Sequence, residues 1–515
     1  MNFLNRAIKN IMRLKTKSIL LIVTFFMIGN LVIIGLGVSY ASENAKTLTR
    51  QKMKPVVTYE VDYEAFSAWV DTLETDEEKN DAYNNYPQLK KADFNQLINS
   101  DYVELVNALV TYQAYASGFT PIINENTDNN NGGVVYTEAD GSDYSYTQPD
   151  VNLIGNAYDN MIEINEGTYV IDEGRFYTQD EIDSGAKVAV IEERLATANN
   201  LNIGDSITVK LIQDNSYESE YIGDMDTTLE YEIIGIYTNN KVLSEDDAWM
   251  SSYPAYTPEN SILVPATSLT SKLNEINLAA WNYYKEMYPD EEYYQNDDHM
   301  PTEDSFYTTF VILLNDPLNV DKFIEENADN LIAFTKLNAN DDLFQTFSKP
   351  LDTMSLFANI IVWIVVINAI VIISLVTALT MKTREHEIGI LLSIGVSKLK
   401  IVAQLFIELV VVAIIGFTLA VVSGSLVAKS IGQAVLNYQL TNTDTTDDNN
   451  YYYYNDDYFT EITQDDMLSE YEVSINPIII AEIYILGIGV VLVSILIPSY
   501  MIMRFNPKRI LTNTY

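Results

Sequence analysis

The 515 residues are about half apolar by type and carry 30 basic against 72 acidic side chains, a formal net charge of −42, with no cysteine. That charge argues against a nucleic-acid partner, because an acidic surface repels phosphate instead of releasing its counterions. Absence of cysteine excludes structural disulfides, Cys-ligated zinc and a thiol nucleophile.

Residues 1–18 set Phe3, Leu4, Ile8, Ile11 and Leu14 among Arg6, Lys9, Arg13, Lys15 and Lys17, the pattern of an amphipathic helix lying along a membrane surface. An apolar run follows at 19–40. It is too long for a signal-peptide core of about 7 to 15 residues and reads as a retained membrane anchor. Further runs at 354–381, 401–428 and 477–503 each reach the roughly 20 residues needed to cross ~30 Å of hydrocarbon. Four crossings put both termini on one side, and the bases choose the side. Those before the first span, Lys382, Arg384, Lys398 and Lys400 between the second and third, and Arg504, Lys508 and Arg509 after the last make three short basic segments. By the positive-inside rule these are cytoplasmic, and the acid is therefore concentrated outside.

Between the first and second spans, residues 41–353 form the expected extracytoplasmic domain. Its ends, Ala41 to Lys54 and Leu343 to Thr353, are helix-compatible and are expected to prolong the spans as a stalk. Phe94, Leu97, Ile98, Tyr102, Leu105, Val106 and Leu109 recur at helical spacing and predict a helix. Asn124 to Asp150 reads as an irregular insert. Strands are predicted at Lys187 to Ile191, Ser206 to Ile212, Glu232 to Tyr237, Ser261 to Pro265 and Phe310 to Leu314, and a helix at Val320 to Ala328. Gly174 and Gly204 read as backbone turn residues.

Residues 382–400 form a short cytoplasmic elbow. Thr383 is placed to cap a helix with Glu385 and Glu387 in its first turn, Gly395 to end it in a left-handed cap, and Ser397 to cap the next. Residues 429–476 make a second outer loop, acidic and rich in tyrosine and asparagine, with little from which to build a core. Asn476 and Pro477 suit a cap and first residue of the fourth span, Pro498 predicts a kink, and residues 504–515 form a cytoplasmic tail. Asn30 and Asn368 lie at similar depth in the first two spans, which predicts a hydrogen bond between them where the spans pack together; the alternative is two separate residues, each satisfied by backbone or lining water. Glu408 and Glu482 are ionisable groups in or beside apolar runs.

No G-x-x-x-x-G-K-[ST] occurs, so a P-loop ATPase activity is not expected of this chain. With only His299 and His386, a histidine metal site is not expected either. Thr127 to Glu138 imitates a calcium loop through Asn129, Asn131, Gly132 and Glu138, but lacks the first acid and flanking helices.

Arg384, Glu385, His386, Glu387, Ile388, Gly389, Ile390 and Leu391, with Ile394 to Lys398, resemble the R-x-x-E-I-G-I-L-x-x-I-G-x-S signature of FtsX-like and MacB-like ABC transporter permeases. Glu173 to Val209 resembles that family's outer core, and Pro498, Pro507 and Leu511 its closing pattern. The region before about Val151 and the second outer loop are expected to depart from it. The resemblance implies an α-helical membrane protein with four transmembrane helices and a large α+β extracytoplasmic domain, a MacB-like core, between the first and second spans. It implies that Arg384, Glu385, His386, Glu387, Ile388, Gly389, Leu391, Leu392, Gly395, Ser397 and Lys398 form a coupling helix seated on an ATPase, and that Glu408 contacts the elbow or inner helix.

Expected partners are a cytoplasmic ABC ATPase dimer, a second permease chain (homodimer or heterodimer) and membrane lipid. ATP and Mg would sit on the ATPase, with no cofactor on this chain. The implied work is mechanotransmission for export or extraction of a peptide, lipid or other amphiphile at a Gram-positive cell surface. Alternatives are an FtsX-like activator of a cell-wall hydrolase and a membrane-anchored receptor or adhesin.

Overall fold

The computed structural model describes residues 11–13, 15–123, 134–137, 143–146, 148–213, 218–241, 253–339, 341–442, 458, 471, 473 and 476–504. The chain forms two compact units: a helical one of Met1–Met53, Asp341–Tyr452 and Thr460–Tyr515, and a globular one of Lys54–Asn340 and Tyr453–Phe459. Residues 1–10 of the expected amphipathic helix, and the calcium-like loop from Thr127 to Glu138 apart from 134–137, lie outside the described residues.

Among the described residues of the helical unit, four helices are long and apolar enough to cross a membrane. The first span helix is Lys15–Lys52, the second Asp341–Thr383, the third Lys398–Asn442 and the fourth Pro477–Ser494, continued by Leu496–Arg504. At 1.5 Å per residue the first is about 57 Å long and the second longer, well beyond ~30 Å of hydrocarbon. The third runs on to Asn442, past the expected boundary at 428. Glycines let these helices approach closely. A methyl at Gly35 would lie 2.4 Å from Val362, one at Gly416 2.6 Å from Phe25, and one at Gly487 2.1 Å from the Phe417 ring.

One intramembrane polar expectation fails. Asn30 and Asn368 do not pair. Asn30 Nδ2 donates to the Phe26 carbonyl and its Oδ1 accepts from Ser423 on the third span, both at 2.9 Å, while Asn368 donates to Ile364 of its own helix. Similar depth was not enough, because on the second span the buried stripe passes through Val366 and Ala369 and leaves Asn368 exposed. On the fourth span Asn476 caps the helix through the Ile479 amide at 2.9 Å. Pro498 has no N–H to offer the Ser494 carbonyl. The helix is interrupted at Ile495, and Ser374 Oγ of the second span donates to that carbonyl at 2.7 Å. A side chain thus satisfies a backbone group freed by proline where lipid could not.

Among its described residues the globular unit contributes twelve strands: β1 (Val56–Val61), β2 (Val103–Ser117), β3 (Val134–Thr137), β4 (Asp143–Tyr146), β5 (Val151–Asn156), β6 (Tyr169–Gly174), β7 (Val188–Glu192), β8 (Ser206–Lys210), β9 (Thr228–Asn239), β10 (Ser261–Pro265), β11 (Thr309–Leu314) and β12 (Thr335–Asn338). Ten form one mixed sheet in the order β12-β1-β11-β2-β5-β10-β7-β9-β6, with β8 pairing both β2 and β9. Its two faces bury different clusters, as the pleat requires. Along β10, Ile262 and Val264 join a large core with Val110, Leu153 and Ile233, whereas Leu263 joins a second with Leu109 and Val190.

The helix expected across Phe94 to Leu109 is a correction: a short helix, Lys91–Leu97, gives way to β2. β2 is central, between β11 and β5, and Asn107 to Val110 are buried without a break. A strand covered on both faces shows no alternation and imitates a helix. The expected irregular insert also contains order, because β3 and β4 pair as an antiparallel hairpin. Gly174 ends β6 at φ +74°, where a methyl would lie 2.2 Å from the Ile234 carbonyl oxygen. Only glycine permits that approach.

Candidate functional site: the elbow between the second and third spans

The second span ends at Thr383, whose hydroxyl bonds back to the Thr380 carbonyl at 2.8 Å, so the expected Thr383 cap is not formed. Arg384 is the N-cap instead, without a side-chain cap bond. The elbow helix, Glu385–Ser393, carries Glu385 and Glu387 in its first turn, where carboxylates suit the positive end of the helix dipole. It closes with Gly395 at φ +91°, and the Val396 amide reaches back to the Leu391 carbonyl at 3.1 Å, a left-handed cap. At Ser397 the carbonyl accepts from Lys400 and Ile401, starting the third span helix.

What holds the elbow to the bundle is partly charge. Arg384 Nε and Nη2 reach the Glu387 carboxylate at 3.0 and 3.5 Å, and its Nη1 reaches Glu408 Oε2 on the third span at 3.1 Å. Gln404 Nε2 donates to Glu408 Oε1 at 3.1 Å. The Arg384 side chain is 11% exposed and that of Glu408 15%, whereas Glu387 is 53% exposed. Glu408 is therefore the shielded partner. Beside it a cavity of about 30 Å3 is lined by Ile11, Lys17, Ser18, Thr377 and Thr380, and the buried Thr377 hydroxyl has no partner among the described residues. Such a space has room for a single water.

The rest is apolar seating. Ile388 and Gly389 are buried, and Leu391, Leu392 and Val396 pack against the same cluster of span residues. These positions face the bundle. His386, Glu387, Gly395 and Ser397 are exposed, and Glu385 and Lys398 are half-buried. Sequence reasoning missed the most exposed apolar residues: Ile390 at 43%, Ile394 at 75% and Leu399 at 79%. All three lie in the expected elbow, but the pattern alone does not say which of its apolar residues turn outward. Large apolar side chains left uncovered beside charged residues are the composition of a surface that meets either a partner or a membrane.

The other candidates are scattered. Glu482 accepts a bond from Tyr40 at 2.6 Å. In the globular unit His299 stacks on Tyr293 at 4.6 Å and bonds to Asn85, so it is a packing residue. Among the described residues no group of three or more His, Asp or Glu side chains could hold a metal ion.

Comparison with known proteins gives the context. Residues 359–507 match the model of the FtsX-like permease C-terminal family, and residues 31–326 that of the MacB-like periplasmic core domain. The region before Val151, expected to depart from the family, lies within the second match. An uncharacterized ABC transporter permease of Bacillus subtilis, YclI, is 27% identical over 436 residues, covering 83% of this chain and 80% of that protein. The periplasmic region of MacB from Actinobacillus actinomycetemcomitans aligns with 57% of this chain and 92% of its own, at 13% identity and a TM-score of 0.29. The extracellular domain of the transporter YknZ from Gram-positive bacteria aligns with 55% and 98%, at 13% identity and a TM-score of 0.27. With one of these models matching more than half of its length and the other its C-terminal spans, the chain belongs to the ABC transporter permeases of the MacB and FtsX type, four-span membrane proteins with a large MacB-like α+β extracytoplasmic domain.

Proposed function

We propose that this permease converts ATP hydrolysis on a separate cytoplasmic ATPase dimer into motion of its extracytoplasmic domain, and that the motion extracts or exports a peptide, lipid or other amphiphile at the cell surface. Both termini and the elbow lie on the cytoplasmic side in this reading, which rests on the distribution of bases. The observation that carries it is the elbow itself. Ile390, Ile394 and Leu399 are open to a partner, while Arg384 and Glu408 fasten the same segment to the third span. A push received on the exposed face would pass to the bundle through a short, shielded ion pair instead of a flexible tether. The first and second helices, each too long for the membrane alone, supply the stalks. A second permease chain, identical or related, completes the expected assembly.

The test uses the full chain purified from its native membranes. ATPase activity is expected to accompany the wild-type permease and to fall about tenfold with Ile394→Glu plus Leu399→Glu, since charge at a desolvated contact costs more than the ~1.4 kcal/mol that a decade represents. Equal recovery with both would refute the elbow as the contact.

A further inference from the structure

The globular unit contains a polar group that the coupling reading does not use. Asn107 lies on the central strand β2, fully buried. Its Oδ1 accepts from the Ile162 amide at 3.1 Å and its Nδ2 donates to Glu163 Oε2 at 2.8 Å. Glu163 sits in the single-turn helix Ile162–Asn165 that follows β5. Among the described residues no lysine or arginine pairs with it. Its remaining oxygen instead accepts the phenol hydroxyl of Tyr458, and Asn107 Nδ2 also reaches Tyr458 Oη at 3.4 Å. Burial pushes the Glu163 carboxyl up, the response of an acid compensated by neutral donors alone.

Tyr458 belongs in sequence to the loop between the third and fourth spans, yet it groups with the globular unit. Its ring packs against two apolar clusters at once. One contains Met161, Tyr169 and Tyr177, and the other Val56, Ile162 and Val311. The socket is specific for a phenol: the ring bridges the two clusters, and the hydroxyl supplies the donor that Glu163 otherwise lacks. Phenylalanine would fill the space and leave a buried carboxylate oxygen without its partner, the costly half of a broken hydrogen bond.

We propose that Asn107 and Glu163 form a docking socket for Tyr458 of the same chain, which gives the third and fourth spans their own hold on the extracytoplasmic domain. The domain is then drawn by two routes, the continuous first and second helices and this side-chain anchor. The transmission role rests on the coupling reading above; the docking itself does not.

Hydrogen exchange on the full chain, without ATPase, tests the docking. Peptides spanning Tyr458 and Ile162–Asn165 are expected to exchange about tenfold faster in Tyr458→Phe and in Glu163→Ala than in wild type, with β7 and β10 unchanged as the control for an intact fold. Should Glu163→Ala fail to fold, Tyr458→Phe, altered only in the loop, still decides. Equal rates in wild type and Tyr458→Phe would overturn the docking and leave the coupling reading untouched. Protection that grows with protein concentration would assign the socket to a second copy's tyrosine and overturn the same-chain assignment. With the ATPase bound, Tyr458→Ala is expected to halve, roughly, the nucleotide-driven change in exchange of the domain. An undiminished change would overturn the second route.

Discussion

Replacing Glu408 by alanine isolates the strut between the elbow and the third span. In the wild type the Arg384 guanidinium, 11% exposed, divides its donors between a shielded carboxylate and the half-exposed Glu387. Removing one partner of a fully buried pair costs about 3 to 5 kcal/mol, chiefly because the other charge is left uncompensated. Here Glu387 remains and water can reach the site from the elbow side, so the cost should be nearer ~2 kcal/mol, roughly a thirtyfold change in an opening equilibrium. Amide exchange of Glu385–Ser393 in the purified permease reads that opening directly. The expected result is about a thirtyfold acceleration confined to the elbow, largely reversed when Arg384→Met is added, since an apolar pair leaves no stranded charge. Exchange unchanged in Glu408→Ala, or no recovery in the double variant, would show that the ion pair does not hold the elbow.

Ser374→Ala removes the side-chain donor that, among the described residues, reaches the Ser494 carbonyl, whose own helix Pro498 prevents from closing. A loss of about 1 to 2 kcal/mol is expected in unfolding of the detergent-solubilised permease, with Ser374→Thr retaining most of it. In the globular unit Arg175 grips Glu181 through two bonds of 2.7 Å, and that pairing holds the Glu181 carboxyl down at about 2. Because the folded value lies below the unfolded one, the contribution is complete above about pH 4.5 and is lost as pH falls toward about 2. With Arg175 half exposed, solvent screening limits it to ~1 kcal/mol, and Arg175→Met should flatten acid unfolding of this domain by about that much. Gly487→Ala, which places a methyl against the Phe417 ring, should destabilise the bundle by about 1 to 3 kcal/mol in the same unfolding assay.

What the sequence revealed and what it hid follow from where each signal comes from. Asn476 before Pro477, the left-handed Gly395 and the strand Ser261–Pro265 are local matters of capping, backbone freedom and side-chain type, and they are legible in a few residues. β2 was not, because burial on both faces erases the period that identifies a strand. Asn30 and Asn368 share a depth but not a direction, and direction depends on which neighbours the helices choose. At the elbow the motif marks the segment, yet the division between Ile388, turned inward, and Ile394, turned outward, is set by packing. Tyr458 is one of many tyrosines in an acidic loop, and nothing around it announces a buried carboxylate placed nearly 300 positions earlier.

Hydrogen exchange of the extracytoplasmic domain in the assembled permease and ATPase complex, with and without Mg and ATP, addresses the central claim most directly. The account predicts a nucleotide-dependent change in the exchange of that domain, reduced when Glu408→Ala loosens the elbow. A domain whose exchange is indifferent to nucleotide while the bound ATPase turns over would contradict it.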